Sequence, residues 1–193
     1  MVCWSLILLL GLTGCIGKQE VTEDTETTLY IQQDGTVESL IVEDFPEEIY
    51  SSEELSESVG EMVDYYNHEH DGSAVKLVYC RVENGQAFVR LAYKSGQDYA
   101  QFNRTDFFYG TVSDAMAQGY GKKATLKNAY GDNMVSGEAI ADLANYHMVV
   151  VNEQVQIRTY ESILYYSANL EHIDDKTVHV TSEDGKDAIM ILK

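Results

Sequence analysis

Two dipeptides most restrict what this chain can become. Asp34-Gly35 lies between strand-like residues 29–31 and 37–42, and Asn84-Gly85 lies between residues 75–82 and 87–93. Asp-Gly and Asn-Gly tolerate the positive φ angles of tight turns, so the flanking β-branched and aromatic runs are held to antiparallel hairpins. Alternation along the second hairpin points Leu77, Tyr79, Val89 and Leu91 to a core and leaves Lys76, Arg81 and Arg90 outward. Glu43-Asp44-Phe45-Pro46 ends the first hairpin, and Pro46 is the one proline of the chain.

A helix is expected over 51–70. Ser51 with Glu54 forms a capping box, and Leu55, Val59, Met62, Val63 and Tyr66 recur at helical spacing to give one apolar stripe. Strand-like runs return at 147–151, 155–160, 163–168, 177–181 and 188–192, with turns at Asn152-Glu153 and Asp184-Gly185. Strands that follow one another through short turns pair antiparallel. The expected fold is therefore α+β, one mainly antiparallel sheet with one principal helix packed on one face. Residues 28–193 make a single domain of ordinary size in this reading.

Ahead of that domain, residues 6–12 (LILLLGL) are apolar, uncharged and well short of the about 20 residues that a membrane-crossing helix needs. They end on Leu12-Thr13-Gly14-Cys15, a fall in residue size just before a cysteine, as where a secretory h-region meets its processing site. This tetrapeptide resembles the lipobox of bacterial lipoprotein precursors. The resemblance implies a signal peptide at 1–14 and lipid (palmitate-like acyl chains) on Cys15, which becomes the N-terminus at the extracytoplasmic face of the cell membrane. Residues 1–5 hold no Lys or Arg, so either the α-amino group supplies the n-region charge or the start lies upstream. The competing reading, a buried core segment at 4–12, is disfavoured because an acidic tract follows at once. Residues 16–27 (IGKQEVTEDTET) are polar and aperiodic, so 15–27 reads as lipidated terminus plus tether. A flexible stretch of that length reaches about 20 Å.

Tyr30-Ile31-Gln32-Gln33-Asp34-Gly35, Val42-Glu43-Asp44-Phe45 and Asp98-Tyr99-Ala100-Gln101-Phe102-Asn103 are similar to stretches in uncharacterised lipoproteins of Gram-positive anaerobes. That resemblance implies no activity and no functional residue beyond Cys15.

The formal net charge of −19 lies wholly beyond residue 14. So acidic a chain is repelled by phosphate backbones and by anionic head groups, which excludes nucleic acid and leaves attachment to the acyl chains. Cations, basic peptides or proteins, and neutral ligands are the favoured partners. Cys3 leaves with the leader and Cys15 carries lipid, so Cys80 has no disulfide partner and reads as a small buried hydrophobe.

Residues 95–137 interleave glycines with Tyr99, Phe102, Phe107, Phe108, Tyr109, Tyr120 and Tyr130. A long aromatic loop is expected there, with these seven residues either as the contact surface for a protein, peptide or small molecule or, in the competing reading, as plugs for the far side of the core. Thr111 with Asp114 caps a short helix inside it.

Signatures of chemistry are sparse. His68-Glu69-His70-Asp71 places its two histidines on different helix faces, which does not suit zinc. Gly131-Asp132-Asn133, Asp174-Asp175 and Glu183-Asp184-Gly185 are turns before they are calcium ligands, and no Asp-x-Asp-x-Asp-Gly loop occurs. There is no Gly-x-Ser-x-Gly elbow, no Ser-x-x-Lys and no phosphate-binding glycine loop. The reading is a lipid-anchored, non-catalytic binding or interaction protein without metal or cofactor. The alternatives are a cation (calcium) or small-ligand binder, and an envelope hydrolase holding a carboxylate pair or a partnered histidine in a pocket.

Overall fold

Both glycine turns close hairpins in the computed structural model, which describes residues 25–46, 51–70, 72–181 and 185–193. Strand β1 (Thr28–Ile31) pairs with β2 (Val37–Asp44), and Gly35 between them takes φ +82°. Helix α1 (Ser52–Glu69) follows, and the Ser51 hydroxyl accepts from the Glu54 N–H at 3.4 Å. Such a cap contributes about 1 kcal/mol. The second hairpin joins β3 (Val75–Glu83) to β4 (Gln86–Tyr93), turning through Asn84 and Gly85 at φ 54° and 76°.

The expected loop at 95–137 is instead built of regular elements. It holds α2 (Gly96–Asn103), β5 (Phe107–Thr111), α3 (Val112–Gln118), β6 (Thr125–Asn128) and β7 (Met134–Ser136). Thr111 does cap α3, accepting from Asp114 N–H at 3.1 Å, and Ser95 repeats that pattern with Asp98 at the start of α2. Beyond α4 (Glu138–Ala141) come β8 (His147–Val151), β9 (Gln156–Thr159), β10 (Ile163–Ser167), β11 (Leu170–Asp174), β12 (Thr177–Val180) and β13 (Ala188–Leu192).

The fold is mixed and sheet-dominated, but the expectation of one sheet under one principal helix is corrected. Among the described residues the strands form two sheets, ordered β11-β12-β9-β1-β2-β4-β3 and β5-β8-β13-β10-β6-β7, four helices share their cover, and all pairings are antiparallel except β1 with β9. The physical reason lies in β8 and β13. Every residue of Ala188–Leu192 is buried, so both faces of that strand need a layer, which a single sheet with a single helix does not supply. One face packs Val149, Val151, Met190 and Leu192 against Leu29, Ile31, Ile157 and Val178 of the first sheet. The other face packs Met148, Val150, Ile189 and Ile191 against Val112, Ala115 and Ile140 of α3 and α4. Helix α1 covers the remaining inner face near β3 with Val63 and Tyr66, while Leu55 and Val59 are half-buried and Met62 is exposed.

One side-chain assignment reverses. The register of β3 slips between Leu77 and Tyr79, a bulge at Val78 that shifts alternation by one residue. Leu77 faces the core as expected, but Cys80 takes the next inward place and Tyr79 turns outward beside Arg90. Burial pushes the Cys80 thiol up, against a hydrogen bond with Ser56 that lowers it.

Candidate functional site

The first sheet's β1–β2 turn and the second sheet's edge strand β5 come together around a groove of about 630 Å³, lined by all five residues of β5. One wall is the start of α2, with Lys94, Ser95, Gly96, Gln97 and Ala100. Asp34, Gly35, His147, Asp114 and Gln118 complete it.

Glycines set how the three aromatic rings of β5 lie. A Cβ on Gly96 would sit 2.5 Å from the Phe107 ring, and one on Gly110 would sit 2.9 Å from the Phe108 ring. A Cβ on Gly35 would sit 3.2 Å from the Tyr109 ring. Each ring therefore lies flatter against main chain than any side chain there would permit. Phe107 also meets Tyr99 edge-on, with centroids 5.1 Å apart, and Phe108 leans on Tyr120 at 5.4 Å.

Polar chemistry gathers at the far end of β5. His147 Nδ1 lies 2.6 Å from Glu161 Oε2 and 3.3 Å from Tyr109 Oη. The Tyr109 hydroxyl donates to the Gln33 carbonyl at 3.1 Å, which assigns the Nδ1 proton to the bond with Glu161 and leaves Nε2 as the ring's second nitrogen. Burial first, then the charges of Glu161 and Asp34, push the Tyr109 phenol up to about 12. It stays a neutral donor at every physiological pH. The pair has the form of a carboxylate-oriented imidazole in the groove wall. The Ser95 and Thr111 hydroxyls that also line the groove are committed elsewhere, Ser95 donating to Asp98 at 2.6 Å and Thr111 to Asp114 at 2.7 Å.

No protein-family model matches this chain, and neither does any curated protein or solved structure.

The seven expected contact residues do not form one surface. Phe107, Phe108 and Tyr109 line the groove, and Tyr120 supports Phe108 from behind. Tyr99 is buried in the core, where its hydroxyl donates to Glu153 at 2.9 Å and its phenol is held far above the usual range by burial and that carboxylate. Phe102 packs on Tyr66 and Tyr93. Tyr130 is exposed beside β6 and β7, at the opposite edge of the second sheet from β5. Cys15 lies outside the described residues.

His147 and Glu161 were not singled out from sequence. One opens an apolar strand, the other sits in a turn 14 residues on, and no spacing rule links them. Among the described residues no three His, Cys, Asp or Glu side chains converge as a metal ion requires. His70 instead stacks on Tyr66 at 4.0 Å and places Nδ1 2.9 Å from the Tyr66 carbonyl, while Asp71 lies outside the described residues.

Proposed function

We propose that this chain is a lipid-anchored, non-catalytic binding protein of the extracytoplasmic membrane face, held through Cys15 and taking its ligand in the β5 groove. The observation that carries it is the run Phe107-Phe108-Tyr109 along the groove, three aromatic side chains with a polar end at His147. Apolar lining with a few convergent polar groups is the usual make-up of a ligand site, of roughly 300–1,000 Å³. The groove touches the turn beyond Ile31, at the other end of β1 from Thr28. Replacing Cys15 with Ser and following membrane fractionation and apparent mass tests the anchor. Unchanged attachment and mass would overturn it.

A second reading has its own observation. The partnered histidine that an envelope hydrolase needs is present in the groove wall, with Glu161 holding the Nδ1 side. Hydrolysis of envelope fragments that is lost in His147→Ala would favour this reading. Equal background rates in both proteins would remove it.

A further inference from the structure

Three of the four sheet edges among the described residues carry a device against pairing with a foreign strand. Edge strand β3 is bulged at Val78 and bears Lys76 and Arg81. Edge strand β11 slips in register between His172 and Asp174 and bears Glu171 and Asp174. Edge strand β7 is three residues long. Strand β5 has no such device. Phe107-Phe108-Tyr109-Gly110-Thr111 is uncharged, lacks proline, and keeps an unbroken five-residue register with β8.

The phase of that ladder is fixed by Val112, whose N–H donates to the Tyr146 carbonyl at 2.8 Å. In an antiparallel pair, hydrogen-bonded and non-bonded positions alternate, so Gly110 and Phe108 also exchange their main-chain bonds with β8. Phe107 and Tyr109 therefore aim N–H and C=O away from β8 and into the groove, and Thr111 its N–H, while the Thr111 carbonyl serves the first turn of α3. We propose that this edge takes an extended, basic peptide segment as an added β-strand. The proposal rests on the binding reading above and names its ligand class.

Main-chain groups spaced along five residues, about 17 Å, are completed only by another strand. The helices α2 and α3 wall the groove on either side, which fits one chain and opposes a second copy bringing the same two helices. Charge gives the sign. Asp34 and Asp114 line the groove, Glu161 and Asp106 stand at its ends, and Lys94 is the one Lys or Arg lining it. A second copy would bring the same acidic groups to the groove, whereas lysines and arginines of a peptide are attracted. Alternate ligand side chains fall on the Phe107–Tyr109 face and the Phe108–Gly110 face, giving two different rows of selection.

The test uses the full ¹⁵N-labelled chain in detergent micelles with two acetylated octapeptides, one alternating Lys and Val, the other Glu and Val. The Lys-Val peptide is expected to slow amide exchange at Phe107, Tyr109 and Thr111, with no change at Phe108 and Gly110, whose N–H groups already bond to β8. Tyr109→Pro deletes one outward donor and should weaken binding about tenfold, the size of one lost hydrogen bond, while Tyr109→Phe keeps the N–H and binds. If Tyr109→Pro does not fold, the alternating exchange pattern decides alone. Equal protection by the Glu-Val peptide overturns the basic preference. Shifts elsewhere, or along β5 without alternation, overturn strand addition and leave a binding protein with another site. The same alternation appearing with protein concentration and no peptide makes a second copy the occupant and overturns the peptide. Cleavage of the bound peptide, lost in His147→Ala, sinks the non-catalytic reading and leaves the strand mode intact.

Discussion

Two glycine-to-alanine substitutions should move stability in opposite directions. A Cβ at Gly96 would stand 2.5, 2.9 and 3.8 Å from three atoms of the Phe107 ring. Carbon atoms settle at about 3.5–4.0 Å, so ring or helix must give by about 1 Å. Neither is free to do so, because Phe107 is held edge-on by buried Tyr99 and α2 is pinned by its Ser95 cap. Overpacking of this kind costs about 1–3 kcal/mol, set against about 0.5–1 kcal/mol gained by removing glycine from a helix. Net loss should be about 1–2 kcal/mol, or roughly 2–8 °C in Tm for a domain of this size. Gly60, inside α1, has nothing within 4 Å of its built Cβ, so Gly60→Ala should raise Tm by about 1–4 °C. Thermal unfolding by circular dichroism reads both. The double variant Gly96→Ala/Phe107→Ala should be about 1–2 kcal/mol less damaging than the sum of the singles, because removing the ring removes the clash. Additive effects, or a Gly96→Ala chain that melts no lower than the parent, would refute the contact.

Three further outcomes follow from the same geometry. Glu161→Ala, which removes the 2.6 Å partner of His147, should cost about 1–3 kcal/mol as a lost charge-assisted bond, and an unchanged urea midpoint would show that the pair is not formed. The Tyr109 phenol is raised from 10 to about 12, so between those pH values the folded chain holds more protons than the unfolded one. Stability must then fall as pH climbs through that window, and Tyr109→Phe should make the fall in Tm shallower; an identical slope would deny the buried, acid-flanked environment. Arg90 reaches one Glu38 oxygen through both Nη2 and Nε, at 2.6 and 2.9 Å, and stacks over Tyr30 at 4.9 Å. A double-mutant cycle on Arg90 and Glu38 should give about 0.5–1 kcal/mol of coupling that shrinks in 1 M salt, and zero coupling at low salt would count against the pair.

Much of the fold was legible because its signals are local. Two glycine turns, a capped amphipathic helix and runs of branched residues each act over a few positions, and β1, β3, β4, α1, β8 and β13 appear within one residue of where they were expected, while β2 runs two residues further, through Glu43 and Asp44. Failures arose where distant residues decide. The bulge at Val78 turned Tyr79 outward and Cys80 inward, and nothing in the alternation of 75–82 announces it. Two sheets in place of one follow from the apolar runs HMVVV and AIMIL, whose absence of alternation already signals cover on both faces. The capping pair Ser95 and Asp98, the same pattern recognised at Thr111 and Asp114, could have found α2.

The candidate site divides along the same line. Aromatic density in 95–137 marked the region that holds β5, though it was read as a loop, and could not separate Phe107, Phe108 and Tyr109 from the buried Tyr99 or from Phe102, which packs on Tyr66 and Tyr93. That separation depends on which elements flank each ring, a tertiary fact. The polar end was less visible still. His147 meets Glu161 because β8 and the turn before β10 bring them side by side, and Tyr109 joins them from the neighbouring strand. The most informative signal was present but silent in one dimension. An uncharged, proline-free run of five strand residues is ordinary as a central strand and unusual as an edge, and only topology decides which it is. Once β5 is seen to be an edge, its unbroken register and lack of charge stand out from the other edges. An unguarded edge between two helices can be kept from aggregation by its walls while remaining open to one strand of the right charge.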